Sequence, residues 1–484
     1  MRILLVQPAS NIMKSRRESK PALQPMGLAY IAGTLLANGY NNVEILDVLT
    51  EGYYNETPFN ENYIRYGLSP DEIKSRIAAF KPDIVGVSSI MSLRKYQSHE
   101  ICKLAKEVDP KITTIVGGNH HACFPNETLQ DSNVDFVCVG EGEESMLQFV
   151  KWKEGKITFD NVHGIAFRQG GNVIIKPQVY RERNLDKIPF PAHHLLALDK
   201  HLQIWKKEGY HYYEAKKFTS SLMARGCPNL CEHCPHNVIF PGYRARSGKN
   251  IADEVELGYK TLGIEEFQFH EYNACVIKKN VEDFCHEMIN RKLTHIRWGW
   301  PIGIWLKPLT YDFLALMRKA GSDYVDLAIE SSNQQLLDAV MKGKDVDLGH
   351  TAEVIKWAND LNYYINCFFM IGFPNQKKEE IEATIEFAKT LDVDSVTFFI
   401  AQALPKTPLW NQAMKESLMP QDFDVFQLRY GKSTLKNKWL MPEEIENYRY
   451  EGRRKFIEHN ASKGRAKYDG KRGSNYLQRS DWCC

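Results

Sequence analysis

Short apolar runs separated by stretches of helical spacing repeat along the first third of the chain. Ile3–Val6, Val43–Leu46, Ile84–Val87, Thr113–Val116 and Phe136–Val139 are each nearly continuous in apolar character. A half-exposed strand alternates polar and apolar residues, so a continuous run reads as a strand buried on both faces. Between these runs, Met26–Asn38, Asp71–Phe80, Tyr96–Val108 and Glu143–Val150 carry a helical pattern. Strand alternating with helix implies right-handed βαβ crossovers, which predicts a five-stranded doubly wound sheet over residues 1–155.

The texture changes over residues 156–205. Gly164–Phe167 and Val173–Ile175 flank a glycine pair and predict a β-hairpin, and Ile188-Pro-Phe-Pro191 then breaks regular structure. This segment reads as a linker. Over residues 206–415 the alternation resumes, with strands expected at Thr219–Met223, Glu266–Phe269, His295–Trp298, Tyr324–Ile329, Ile365–Ile371 and Ser395–Ile400. Six βα units predict a partial barrel rather than a closed eight-stranded one. Residues 416–484 are charged and helical around Pro442–His459, and the tail after Ser462 is rich in Lys, Arg and Gly.

Composition narrows the class. At 484 residues the chain is long enough for two or three domains. Sixty-two basic and 60 acidic side chains leave a net charge of +2, which gives no reason to expect nucleic acid or a membrane surface. No apolar run approaches the roughly 18 residues of a bilayer span, and Met1–Pro8 reads as a first strand rather than a signal peptide. A cytoplasmic location is expected. Eleven cysteines are too sparse for a disulfide scaffold, yet three crowd into the eight residues 227–234.

Those three lie in Thr219-Ser-Ser-Leu-Met-Ala-Arg-Gly-Cys-Pro-Asn-Leu-Cys-Glu-His-Cys-Pro235, where a strand ends and Gly226 and Pro228 force an irregular loop. Thiolates at Cys227, Cys231 and Cys234 can hold three irons of a [4Fe–4S] cubane and leave the fourth without a protein ligand. An open iron can accept the amino and carboxylate groups of S-adenosylmethionine. The alternative at this level is a zinc site completed by His233 or His236, although no second ligand pair lies nearby.

Motif, preceding strand and following βα units together resemble the radical S-adenosylmethionine superfamily, whose signature is Cys-x3-Cys-x2-Cys after the first strand of a (βα)6 partial TIM barrel. The resemblance implies further cofactor contacts. His233, before the third cysteine, has its backbone near adenine. Glu330 and Ser331, ending Tyr324-Val-Asp-Leu-Ala-Ile-Glu-Ser-Ser332, orient S-adenosylmethionine, and the two-residue period places Asp326, Ala328 and Glu330 on one face. Glu271 is the one acid in Phe269-His-Glu-Tyr-Asn273, where relatives carry a pair. Gly372 belongs to a Gly-x-Pro turn near adenine. Arg244 and Arg246 are candidates for the carboxylate of S-adenosylmethionine, and Asn366 and Gln402 for the cavity wall.

A doubly wound sheet binds its ligand at the carboxyl ends of its strands. Those ends supply Ser89, Ser92, Gly117, Gly118, His120, His121, Gly140, Glu141 and Gly142, where small residues permit close approach of backbone to a ligand. No Gly-x-Gly-x-x-Gly follows the first strand, so a dinucleotide is disfavoured. Fold and turns resemble the cobalamin-binding domain fused to one large branch of the same superfamily. Pro25-Met-Gly-Leu-Ala-Tyr-Ile-Ala32, Val116-Gly-Gly118, Val139-Gly-Glu-Gly-Glu143 and Leu185-Asp-Lys-Ile-Pro-Phe-Pro191 carry that likeness. Asp-x-His-x-x-Gly is missing and no histidine precedes His99, so cobalamin is expected base-off with no histidine ligand from that motif.

The implied architecture is α/β: an N-terminal doubly wound, Rossmann-like cobalamin-binding domain, a (βα)6 radical S-adenosylmethionine barrel and a small helical C-terminal region. The implied reaction is methylation of an unactivated carbon. One S-adenosylmethionine supplies the methyl group by way of cobalamin, and a second yields the 5′-deoxyadenosyl radical that removes hydrogen. Three alternatives stay open: radical cyclisation or rearrangement, methylthio transfer, and a non-catalytic cobalamin-binding protein. The implied partners are a small-molecule or peptide substrate and an electron donor such as flavodoxin or ferredoxin. No catalytic side chain, and no role for Cys483 and Cys484, is assigned at this level.

Overall fold

The computed structural model describes residues 1–179, 181–208, 216–236, 240–429 and 431–463. The chain divides into two compact units, Met1–Glu208 and Gly209–Cys484. The tail from 464 onward, with Cys483 and Cys484, lies outside the described residues.

The first unit contains β1 (Ile3–Gln7), β2 (Ser10–Met13), β3 (Val43–Asp47), β4 (Glu56–Pro58), β5 (Tyr63–Tyr66), β6 (Ile84–Ser88), β7 (Thr113–Gly117), β8 (Phe136–Cys138), β9 (Ile165–Gln169) and β10 (Asn172–Lys176). Its main sheet has the order β10-β9-β8-β7-β6-β1-β3. The five strands from β3 to β8 are parallel, with Leu5 opposite both Ile45 and Gly86. Continuous apolar runs follow from two cores. Leu4 and Val6 enter one with Val85, Val87, Val116 and Val137, while Ile3 and Leu5 enter the other with Ile84, Ile115, Leu28 and Phe149.

Two features depart from the five-stranded expectation. The hairpin β9–β10 pairs antiparallel with β8, so the segment expected to be a linker extends the sheet to seven strands. Ile165 and Ala166 are fully buried there, whereas β10 is largely exposed as an edge should be. The antiparallel sheet β2-β5-β4 had no sequence signal, because three or four mixed residues carry no readable period. Chain direction fixes where a ligand can sit. From β1 the connection runs to β3 on one side, and the next main strand, β6, lies on the other. The loops after β1 and β6 therefore diverge and leave a crevice at the carboxyl ends.

The second unit contains β11 (Phe218–Ser221), β12 (Ala224–Arg225), β13 (Arg244–Ala245), β14 (Glu266–Phe269), β15 (Arg297–Gly299), β16 (Tyr324–Glu330), β17 (Tyr364–Ile371) and β18 (Ser395–Ile400). Parallel β11-β14-β15 and parallel β16-β17-β18 form two halves of a barrel wall, joined by bridges from Ala274 to Ile304 and from Ile304 to Leu327. Helices Gly248–Leu262, Lys278–Asn290, Tyr311–Lys319, Leu348–Asp360 and Lys378–Thr390 lie between the strands in sequence. The C-terminal helix Pro442–Ser462 sets Ile445 against Gly372 and Gly452 against Ile385.

Asp326 is buried on β16, where its carboxylate accepts from Asn366 Nδ2 at 2.5 Å, and Asn366 Oδ1 accepts from Ser395 at 2.7 Å. Burial pushes the Asp326 carboxyl up to about 8, opposed only by the Asn366 bond. An unfolded aspartate releases its proton near pH 4, so between about pH 4 and 8 the folded state binds more protons and stability falls as pH rises. Asp326→Asn removes that titration. It is expected to raise the melting midpoint of the apoprotein several times more at about pH 8.5 than at about pH 5. An equal shift at both values contradicts the assignment.

Candidate functional site

The cysteine loop is closed at its base by the short ribbon β12–β13, in which Ala224 pairs with Ala245 and Arg225 with Arg244. Gly226 follows at φ 95°, and a Cβ there would stand 1.6 Å from the Gly242 carbonyl oxygen. Only glycine fits. Gly226→Ala adds about 1–3 kcal/mol of backbone strain before any clash is counted. The variant is expected to keep its far-ultraviolet circular dichroism and lose most of its bound iron after reconstitution. Full iron content would mean that the loop tolerates the change.

Cys227, Cys231 and Cys234 are half-buried free thiols. Burial, above all, pushes the Cys231 thiol up to about 12, with Cys234 and Cys227 adding to the rise and Lys344 opposing it. Burial likewise raises Cys234, with Cys227 contributing. The three are thus close enough to repel one another once ionised, and a metal centre relieves that repulsion. Among the described residues no group of three or more His, Cys, Asp or Glu closes on a single-ion position. A cubane presents a separate iron to each thiolate, so this spacing and donor set fit it. Asn273 Nδ2 lies 3.5 Å from Cys227 Sγ.

A segment more than 100 residues downstream holds the same loop. Leu230 N donates to Lys342 O at 2.7 Å, Glu232 N to Val340 O at 2.9 Å, and Lys342 Nζ pairs with Glu232. Lys344 then forms a largely buried ion pair with Glu330, and its ammonium acts electrostatically on Cys231 and Cys227. Glu330 sits at φ 74° beside a register shift in β16. Ser331 Oγ accepts from Asn333 N at 3.1 Å. Burial pulls the His233 imidazole down to about 4, its ring lies 6.2 Å from Phe373, and its Nδ1 has no partner among the described residues. Gly372 donates its N–H to Gln376 at 2.7 Å.

Glu271, two residues past the second barrel strand, is buried and accepts from Trp300 Nε1 and from Met223 N at 3.2 Å. Burial raises its carboxyl to about 7, against those bonds and the Arg246 charge. Arg246 has a structural partner rather than a solvated surface. Its guanidinium bonds Glu254, the Leu222 carbonyl at 2.9 Å and Asn250 Oδ1 at 2.7 Å, and Ser221 donates to the other Glu254 oxygen. Gln402 Nε2 bonds the Lys432 carbonyl at 2.7 Å.

In the first unit, the residues singled out at the strand ends meet one another. Ser89 N donates to Gly117 O at 2.9 Å, and Ser92 Oγ lies 3.1 Å from His120 Nδ1. His120 and His121 are buried rather than loop-exposed, with rings 5.0 Å apart. Glu141 exchanges two backbone bonds with Gln178. The glycines serve their own chain: a Cβ would strike Ser89 O from Gly118, Gln178 from Gly140 and Ile31 from Gly142, and would press Cys138 from Gly117. Loop-to-loop packing accounts for them. Sequence patterning missed Lys344, Asn273 and the buried Arg94, whose Nε and Nη2 have no partner among the described residues.

Residues 16–150 match the B12 binding domain family and residues 221–388 the Radical SAM superfamily. A cytidylyl-2-hydroxyethylphosphonate methyltransferase of Streptomyces wedmorensis is 31% identical over 465 residues, 90% of this chain and 85% of that one. An anaerobic magnesium-protoporphyrin IX monomethyl ester cyclase of Rubrivivax gelatinosus is 28% identical over 433 residues, 88% of this chain and 72% of that one. The fold matches the radical S-adenosylmethionine methyltransferase TsrM from Kitasatospora setae, solved with cobalamin and [4Fe–4S] cluster bound, at TM-score 0.67 and 16% identity over 86% of this chain and 75% of that one. No helix among the described residues is long and apolar enough to cross a membrane. The chain belongs to the radical S-adenosylmethionine enzymes that carry a B12-binding domain ahead of the barrel.

Proposed function

We propose that this enzyme transfers a methyl group to an unactivated carbon of a small-molecule or peptide substrate. The observation that carries the reading is the thiol trio in a glycine-closed loop beyond the first barrel strand, in a chain that also has a B12-binding domain. When bound, the cluster supplies the electron that cleaves S-adenosylmethionine to a 5′-deoxyadenosyl radical, and cobalamin carries the methyl group.

The protein's part is binding, orientation and charge. Cys227, Cys231 and Cys234 hold the cluster, while the 340–344 segment fixes their loop and Lys344 places a buried cation beside it. Around the S-adenosylmethionine, His233, Glu271, Glu330, Ser331 and Gly372 are the proposed contacts. Trp300 holds Glu271, and Lys344 holds Glu330, so both carboxyls meet a ligand in fixed orientation. Ser89, Ser92, Gly117, Gly118, His120, Gly140, Glu141 and Gly142 are the proposed cobalamin contacts. A flavodoxin- or ferredoxin-like donor would supply the electron.

The likeness to the Rubrivivax cyclase over 88% of the chain favours one second reading, radical ring closure without methyl transfer. Mass spectrometry of the product formed with S-adenosylmethionine labelled in its methyl group separates the two. Methyl transfer gives a product heavier by one labelled methylene. Consumption of substrate with formation of 5′-deoxyadenosine and no label in the product overturns it in favour of cyclisation.

A further inference from the structure

The crevice where strand order reverses contains a charged group that the protein leaves unsatisfied. Arg94, in the loop after β6, is 3% exposed, and among the described residues its Nε and Nη2 have no hydrogen-bond partner. Its Nη1 donates to Gln7 Oε1, at 3.4 Å, on the last residue of β1. Arg94 therefore spans the ends of the two strands between which the order reverses.

The nearby carboxylate does not use those donors. Asp47 Oδ1 accepts from Gln7 Nε2 at 2.9 Å and from Thr50 N at 3.0 Å, and Oδ2 lies 3.2 Å from His201 Nε2. Two further buried oxygens without partners among the described residues, Ser10 Oγ and Asn11 Oδ1, lie on β2, which packs against the Ser92–Arg94 turn. Arg94 is also the N-cap of the 14-residue helix Lys95–Val108, which has no side-chain cap and no acidic residue in its first turn. A buried guanidinium with open donors beside an uncapped helix N-terminus is a site for an anion.

Cobalamin has one anionic group on its periphery, the phosphodiester of its nucleotide tail. Resting on the reading of this unit as a corrinoid-binding domain, we propose that Arg94 receives that phosphodiester through Nε and Nη2. Arg94 then makes the domain selective for complete cobalamins over corrinoids without the tail. Ser10 can add a hydroxyl donor. The planar fork matches two phosphate oxygens, which a lysine ammonium does not.

The test is the dissociation constant of the full chain for hydroxocobalamin and for cobinamide, which keeps the corrin but lacks the nucleotide tail, followed by corrin absorbance. Loss of a charge-assisted bond predicts that Arg94→Met weakens hydroxocobalamin about 10- to 100-fold and leaves cobinamide within about twofold, with Arg94→Lys between. Equal weakening of both corrinoids, or no change in either, overturns the proposal, the latter meaning that water alone satisfies Arg94. If Arg94→Met does not fold, the wild-type chain decides: at least about tenfold preference for hydroxocobalamin supports the proposal and equal affinity overturns it. Failure of the wild type to bind either corrinoid instead overturns the corrinoid-binding reading itself.

Discussion

Replacing Cys227, Cys231 and Cys234 by alanine is expected to take bound iron from about four atoms per chain to background and to stop 5′-deoxyadenosine formation. Each single replacement should come close to the same result, because a cubane held by two thiolates loses iron and leaves no defined open position. The local electrostatics make the loss steep. Burial raises the Cys231 and Cys234 thiols, so both are poor anions until a metal takes their protons' place. Cys285→Ala is the matched control. That thiol is fully buried in the helix Lys278–Asn290, so its removal should lower stability slightly and leave the iron count unchanged. Iron analysis and electron paramagnetic resonance of dithionite-reduced samples read both outcomes, and a retained cluster in the triple variant would contradict the ligand assignment.

The second large effect concerns the fold beneath the loop. Glu254→Gln should destabilise the second unit by about 3–5 kcal/mol, a fall of about 10 °C in its melting midpoint. Glu254 is 1% exposed and Arg246 4%, so solvent does not screen the pair. Removing the carboxylate leaves the guanidinium buried with neutral acceptors. The loss should persist in high salt, unlike that of a surface pair. The double variant Arg246→Met with Glu254→Leu should recover part of it, since two apolar side chains leave no buried charge. If thermal unfolding shows the single variant unchanged, the pair is not the clamp between β11 and the following helix that its bonds to Ser221 and Leu222 describe.

Both the cluster motif and the strands were legible for the same reason, that the signal is local. Cys227, Cys231 and Cys234 fall within eight residues, and each main strand of the first unit feeds two cores, which makes its sequence continuously apolar. What escaped is non-local. Lys344 reaches the cysteine loop only because Leu230 and Glu232 bond backbone 108 to 112 positions away, and no period encodes that. The hairpin at 165–176 was readable, but its attachment to β8 was not, because edge pairing depends on which side of the sheet stays open. Arg246 read as a free cation for the carboxylate of S-adenosylmethionine because sequence does not reveal that Glu254, two helical turns on, folds back onto it. The glycines after β7 and β8 read as positions of close ligand approach, while the close neighbours that the structure gives them are Ser89, Ile31 and Gln178 of the same chain. Arg94 carries no sequence signal at all, since it sits in a single turn of 3-10 helix too short for a readable period and is notable only for what its buried nitrogens lack among the described residues.

Anaerobic reconstitution of the wild-type chain with iron, sulfide and hydroxocobalamin, followed by reduction with S-adenosylmethionine present, tests the central claim most directly. About four irons and one corrin per chain are expected in the same sample, with 5′-deoxyadenosine released on reduction. Stoichiometric zinc in anaerobically purified protein, or a full cluster that leaves S-adenosylmethionine intact, would contradict it.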